Sequence, residues 1–339
     1  MAAVNLKRVA HEAGVSLATA SRVLSGSDYP VAPELRERVI EVANKLDYVP
    51  NTAARGLLSG TSKTAGVLVG DVSDPYFSAM IGGMHRVAAD LGYMVTIANT
   101  YRDADAELLA LKKLHGQRVD VLVVAGSGLH DERYTRGLEQ RLTSFIATGK
   151  SAVLVGKHHA KPDGNVTHIL MDDHGGARLL AEYLRDLGHR EVALLAGDKR
   201  LWSTTDRVCG FREVFGEHLT VVPVEPTRDG GREGALALMA GMTRVTAIAA
   251  TADQMALGAL VALRELGVQV PTEMSVAGFN DIEVAKDLVP SLTTVQMPLV
   301  EAGAAAMEQG IARLHGEAID VALPARLEVR GSTAPPRPS

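Results

Sequence analysis

From Thr64 onward the sequence alternates unbroken runs of Val, Ile, Leu and Ala with amphipathic stretches, and this alternation restricts the fold more than any other feature. The runs AGVLVGDV, YMVTIANT, VDVLVVAG and SAVLVGKH are flanked by helical segments such as YFSAMIGGMHRVAADLG and AELLALKKLHG. After THILMDD the same order resumes with GGARLLAEYLRDLGH, REVALLAGD, DRVCGFREVFGEH, LTVVPVEP, REGALALMAG, VTAIAAT, DQMALGALVALRELG and MSVAGFND. A strand buried on both faces reads as a continuous apolar run, and parallel neighbours need a helical crossover between them. The expected body is therefore a doubly wound α/β architecture that occurs twice. Two such units face each other across a crevice, with ligand groups at the carboxyl ends of the strands. SLTTVQMP, the helix AGAAAMEQGIARLHG and the strand-like RLEVRG follow the second unit and are placed to cross back and complete both sheets. The tail TAPPRPS is Pro-rich and is expected to be disordered.

A chain of 339 residues exceeds what one hydrophobic core usually serves, and 46% hydrophobic residues can fill more than one. The net charge of -5 neither suggests nor excludes an anionic partner, because a local basic face can sit on an acidic whole. Cys209 is the only cysteine, which rules out an internal disulfide and a cysteine-based zinc site and fits a reducing compartment. The start, MAAVNLKRVAHEAG, lacks the apolar region of a signal peptide, and no apolar run reaches the ~18 residues of a membrane span. A cytoplasmic protein with no membrane partner is expected.

The first 50 residues carry no strand signal. Leu6, Val9, Ala10 and Ala13 share one helical face before Gly14 breaks it, and Ser16 suits the N-cap of a second short helix with Thr19, Ala20 and Val23. Pro33 suits the first turn of a third helix, with Leu35, Val39, Val42, Ala43 and Leu46 as its buried stripe. Three short helices with a tight turn between the first two read as a helix-turn-helix. NTAARGLLSGTSKT then holds about two helical turns, too short to be stable alone.

Taken together, LKRVAHEAGVSLATASRVLSG, PNTAARGLLSG and the twofold α/β body resemble the LacI/GalR family of bacterial transcription regulators. DVSDPYF, LRDLGHREVALLAG, ADQMALGALVAL, VQVPTEMSVAGFND and PSLTTVQMP carry the resemblance on to about Gly331. It implies a DNA-binding head, a hinge helix and an effector-binding core of the periplasmic-binding-protein type, assembled as a homodimer. The boundaries read as 1–50 for the head, 51–62 for the hinge, 63–160 with 292–320 for the first core half, 161–291 with 321–331 for the second, and 332–339 for the tail.

Within the family motif Leu17, Ala18 and Arg22 occupy the base-reading positions, at the start of a helix that enters the major groove. Arg22 can donate two hydrogen bonds to guanine O6 and N7, worth roughly 1 to 3 kcal/mol of discrimination. Leu17 fits apolar contact with a thymine methyl or the small core of the head equally well, and Ala18 offers only apolar contact. Ser16, Thr19 and Ser21 suit phosphate oxygens. Lys7, Arg8, Arg22, Arg36, Arg38, Lys45 and Arg55 are offset by Glu12, Asp28, Glu34, Glu37, Glu41 and Asp47, so one head is barely basic. Two heads of a dimer on a near-palindromic double-stranded operator would compensate. In the hinge, Leu57 matches a leucine that wedges into the minor groove, while Ala53 and Ala54 permit close approach of paired hinge helices; Asn51 and Arg55 complete the expected contacts.

The resemblance places effector contacts at Tyr76, Phe77, Met171, Trp202, Arg207, Asp253 and Asn280. Tyr76 and Phe77 fit either ring stacking on a ligand or ordinary core packing. Trp202 falls in the loop DKRLWSTTD, and Arg207 fits a polar effector group or a salt bridge to Asp206 or Glu213. Asp253 fits hydroxyl binding or a helix N-cap. Asn280 stands where the family usually has an acid, Ala252 replaces a frequent polar residue, and Gly156 falls where some members carry an acid, which argues against a simple hexose and leaves a sugar or sugar derivative as the expected class. The clusters KHH at 157–159 and DDH at 172–174 lack a recognised metal-ligand spacing, and AGSG at 125–128 is neither a phosphate loop nor a nucleophile elbow. No metal, no cofactor and no catalysis are expected. The sequence thus reads as an effector-controlled repressor, against a small-molecule-binding protein without operator function or a sugar-modifying enzyme on the same sheets.

Overall fold

The computed structural model describes residues 5–25, 29–49, 61–164, 166–241 and 244–337. The chain divides into two compact units, Met1–Ser62 and Lys63–Ser339.

In the first unit, α1 (Leu6–Glu12) is capped by the Asn5 side chain, which accepts from the Arg8 amide. Gly14 turns the chain at φ +64°, a left-handed conformation open to glycine without strain. α2 (Leu17–Ser25) and α3 (Pro33–Lys45) follow, with Pro33 in the first turn of α3. Val9, Ala10, Ala13, Ala20, Val23, Val39 and Ala43 form the buried core. Small residues at the helix contacts let three short helices pack closely enough to share so small a core.

The second unit holds two six-stranded sheets. The first contains β1 (Thr64–Val69), β2 (Met94–Asn99), β3 (Val121–Ala125), β4 (Ser151–Val155), β5 (Val166–Met171) and β11 (Val321–Leu323), in the order β11-β5-β4-β3-β1-β2 and parallel throughout. Its helices are α4 (Pro75–Asp90), α5 (Ala104–Gly116), α6 (Glu132–Ile146) and the late-arriving α12 (Leu299–Arg313). The second contains β6 (Val192–Ala196), β7 (Leu219–Pro223), β8 (Ala247–Ala250), β9 (Ser275–Asn280), β10 (Thr293–Gln296) and β12 (Arg326–Glu328), in the order β12-β10-β9-β8-β6-β7, with only β12 antiparallel. α7 (Asp173–Asp186), α8 (Trp202–Phe215), α9 (Arg228–Ala240), α10 (Asp253–Glu265) and the short α11 (Val284–Asp287) belong with it.

The exchange between sheets differs in detail from the boundaries expected above. β5, expected in the second half, extends the first sheet beside β4, with Ala152 opposite Val166 and Val155 opposite Ile169. β10, expected in the first half, lies between β9 and β12, and β11, expected in the second, pairs with β5. The chain therefore changes sheets between β5 and α7, between β10 and α12, and between β11 and β12.

Nor is the described part of the tail loose. Ser332 is buried; its hydroxyl donates to the Val276 carbonyl at 2.6 Å and accepts from the Thr293 amide at 2.8 Å. The Ala334 amide and carbonyl both bond the Ser275 hydroxyl at 3.0 Å. A Pro-rich segment with too little apolar surface for a core is held instead by the polar groups of β9 and β10.

Candidate nucleic-acid interface and ligand cleft

α2 presents two faces because 3.6 residues complete a turn. Ala20 and Val23 are buried, whereas Ser16, Leu17, Ala18 and Arg22 are exposed and Thr19 and Ser21 are half-buried. Leu17 is 44% exposed, which places it on the outward face rather than in the core of the head. The Ser16 hydroxyl accepts from the Thr19 amide at 3.0 Å and shares a 2.8 Å hydrogen bond with the Thr19 hydroxyl, which makes Ser16 the cap of α2. Arg8 is paired with Glu12 at 3.0 Å, so one cation of the head is neutralised locally. Asn51, Ala53, Ala54, Arg55 and Leu57 lie outside the described residues.

In the second unit, a cleft opens at the carboxyl ends of the strands of both sheets. Gly70 and Asp74 enter it after β1, Thr100 and Arg102 after β2, and Gly126 and Ser127 after β3. From the other sheet come Gly197, Ser203, Arg207, Thr251 and Asn280. Tyr76 and Phe77, in the first turn of α4, meet edge to face with centroids 5.0 Å apart. Asp74 caps that helix by accepting from the Tyr76 amide at 3.0 Å, and Arg102 approaches its other oxygen at 3.7 Å. Burial pushes the Asp74 carboxyl above its usual value against these two contacts.

Arg207 is 6% exposed, and its placement is fully specified. Nε and Nη2 both reach Asp173 Oδ1, at 2.8 and 2.7 Å, and Nη1 donates to the Thr251 carbonyl at 2.5 Å. Its Cζ lies 3.9 Å from the centre of the Phe279 ring. The ion-pair partner is Asp173 at the start of α7, not the Asp206 or Glu213 that neighbour it in sequence. Asn280 closes β9 at φ +114°, a conformation strained for any residue but glycine, and its buried Oδ1 has no hydrogen-bond partner among the described residues. A buried acceptor without a donor is costly to leave so, and this one borders the cleft.

The structure brings Tyr76, Phe77, Arg207 and Asn280 together around the cleft, and leaves three expected contacts outside its lining. Met171 is buried in the core at the end of β5. Trp202 begins α8 rather than occupying a loop, and its indole lies between His159, stacked at 3.7 Å, and His130, tilted at 3.3 Å. Asp253 is the first residue of α10, but its carboxylate does not cap that helix: it accepts from the Thr294 hydroxyl at 2.6 Å and the Ile282 amide at 2.9 Å. Asp74, Arg102, Ser127, Ser203 and Thr251 were missed by sequence reasoning. For Asp74 the signal was present, as an N-cap aspartate before Pro75 directly after a buried strand.

Burial, outweighing those hydrogen bonds, pushes the Asp253 carboxyl up to about 6 from 3.8. The folded protein thus holds this proton more tightly than the unfolded chain does. The charged carboxylate therefore costs stability above about pH 6, and the cost is relieved as the pH falls towards 4. The stability of the protein relative to its Asp253→Asn variant should rise by about 2 kcal/mol between pH 7 and pH 4. Paired urea titrations measure the difference, and a pH-independent difference would contradict the assignment.

One rim of the cleft is fastened between the two halves. Ser127 Oγ donates to Ser203 Oγ at 2.8 Å and accepts from the Ser203 amide at 3.2 Å. Leu129 and Leu201 form an antiparallel bridge, and Lys157 Nζ binds both oxygens of Asp206 at 2.7 and 2.9 Å. With the histidines about Trp202, these contacts make the rim a polar clasp.

A three-helix head with an outward-facing second helix, together with a two-sheet body around a polar cleft, defines a ligand-responsive DNA-binding regulator. The chain belongs to the lacI family of bacterial regulatory proteins, whose description matches residues 5–51, and residues 181–333 match the periplasmic binding protein-like domain. It is 33% identical to the HTH-type transcriptional regulator GalR of Escherichia coli strain K12 over 314 residues, covering 91% of this chain and 88% of GalR. The lac repressor dimer bound to operator and the anti-inducer ONPF superposes with a TM-score of 0.82 at 26% identity, covering 98% of this chain and 99% of that one. The transcriptional regulator CelR in complex with cellobiose superposes with a TM-score of 0.69 at 27% identity, covering 97% and 100%. Among the described residues no helix is long and apolar enough to cross a membrane.

Proposed function

We propose that this regulator binds a near-palindromic operator as a homodimer in the cytoplasm, acts as a repressor without catalytic activity, and responds to a sugar or sugar derivative in the cleft. The outward face of α2, with Leu17, Ala18 and Arg22 exposed together on the second helix of the head, carries the DNA-binding reading, because that helix is the one a helix-turn-helix places in the major groove. The lac repressor dimer on its operator supports the dimer and the DNA, and the cellobiose complex of CelR supports a sugar. On this reading Leu57 wedges into the minor groove beside Asn51, Ala54 and Arg55, and the ligand acts by changing the orientation of the core halves. Operator and ligand then alter each other's affinity by the same factor.

A thermal-shift screen over sugars, sugar phosphates and nucleobases identifies the ligand, since binding to the folded state raises the melting temperature by mass action. Trp202 is the only tryptophan, so its emission reports the clasp alone. Ligand should change that emission, and His159→Ala should remove most of the change while the thermal shift persists. A ligand that raises the melting temperature and leaves the emission constant would show that this rim does not move.

A further inference from the structure

We propose that Tyr29 is a positioning residue for Arg22 and so sets the base preference of the head; this rests on the DNA-reading role given to Arg22 above. The Cζ of Arg22 lies 3.9 Å from the centre of the Tyr29 ring. A guanidinium carbon reaches that distance only over the face of a ring, where the quadrupole attracts a cation, because the edge hydrogens hold it farther off in the plane. Arg22 is exposed and Tyr29 is 54% exposed, so core packing does not impose the pairing. Pro30 follows Tyr29 directly and biases its backbone away from the helical region, which narrows the directions from which the ring can approach α2.

A long arginine side chain gives up rotamer freedom when it binds, and this weakens a contact it would otherwise make well. Stacking on tyrosine uses the face of the guanidinium, whereas recognition of guanine O6 and N7 uses N–H groups in its plane. The two engagements are geometrically compatible. Tyr29 therefore restricts Arg22 to a small set of rotamers before DNA arrives, and strengthens guanine recognition without touching a base itself.

The test uses the full chain and duplexes carrying the site recovered from random DNA, with each base pair substituted in turn, at one fixed salt concentration. Fluorescence anisotropy gives the affinity for each duplex. Arg22→Ala should lower the preference for one base pair in each half-site by about tenfold or more. Tyr29→Ala should lower the preference at that same pair about threefold, with little change elsewhere, and should add nothing in the Arg22→Ala background. Tyr29→Leu keeps the bulk without the aromatic face and should match Tyr29→Ala, while Tyr29→Phe should match the parent; circular dichroism confirms that each head is folded. A uniform loss over all duplexes, or a Tyr29→Phe variant as impaired as Tyr29→Ala, would overturn the positioning role. If Arg22→Ala relaxes no position, the DNA-reading role beneath it is wrong instead.

Discussion

Replacing Arg207 with alanine should abolish ligand binding in the cleft and cost the core about 3 to 5 kcal/mol of stability. The stability loss arises because Asp173, fully enclosed beside Arg207, would be left as an uncompensated buried charge. The binding loss arises because the guanidinium is held in the cleft by an ion pair, a carbonyl and an aromatic face together. Lysine should not rescue either property, since a single ammonium cannot reproduce the planar fork that holds Asp173 and the Thr251 carbonyl at once. The double change Arg207→Met with Asp173→Leu should recover most of the stability and none of the binding. Urea denaturation and ligand-dependent melting separate the two effects, and a single variant that loses less than about 1 kcal/mol would contradict the buried-pair account.

Gly303→Val should destabilise the core by about 3 kcal/mol or more. Gly303 in α12 and Gly83 in α4 face each other's helices so closely that a Cβ on either would strike backbone: Met80 carbonyl oxygen for Gly303, Val300 carbonyl oxygen for Gly83. Both obstacles are main chain and cannot rotate aside, so the helices must separate. Because Tyr76 and Phe77 lie in the first turn of α4, separation of the helices should also weaken ligand binding. Denaturation of Gly303→Val and Gly83→Val checks the first effect, and a ligand titration at a temperature where the variants remain folded checks the second. Full stability in both variants would show that the two helices are not in the contact described.

The α/β body was legible because its central strands are buried on both faces, and residues such as those of VLVVA record that burial directly. The head was legible for a different reason: Gly14, Ser16 and Pro33 are constrained by local backbone geometry, which acts within a few residues. The exchange of strands was not legible. β5 buries only alternate positions, and β11 and β12 have three residues each, so their patterns report partial burial but not which distant strand they join. The same limit applies to side-chain direction. The family resemblance puts Arg207 and Asn280 among the effector contacts and both line the cleft, yet Asp253 turns to Thr294 and Trp202 to two histidines, and those partners lie far away in sequence. The Gly83–Gly303 contact is likewise invisible along the chain, where each glycine merely weakens a helix.

Ligand-controlled operator recognition is measured by selecting bound sequences from random duplex DNA, with and without the ligand found by thermal shift. One near-palindromic site is expected, with a G·C pair in each half that Arg22→Ala no longer prefers, and its enrichment should change when the ligand is present. Recovery of no common site under either condition would contradict this recognition.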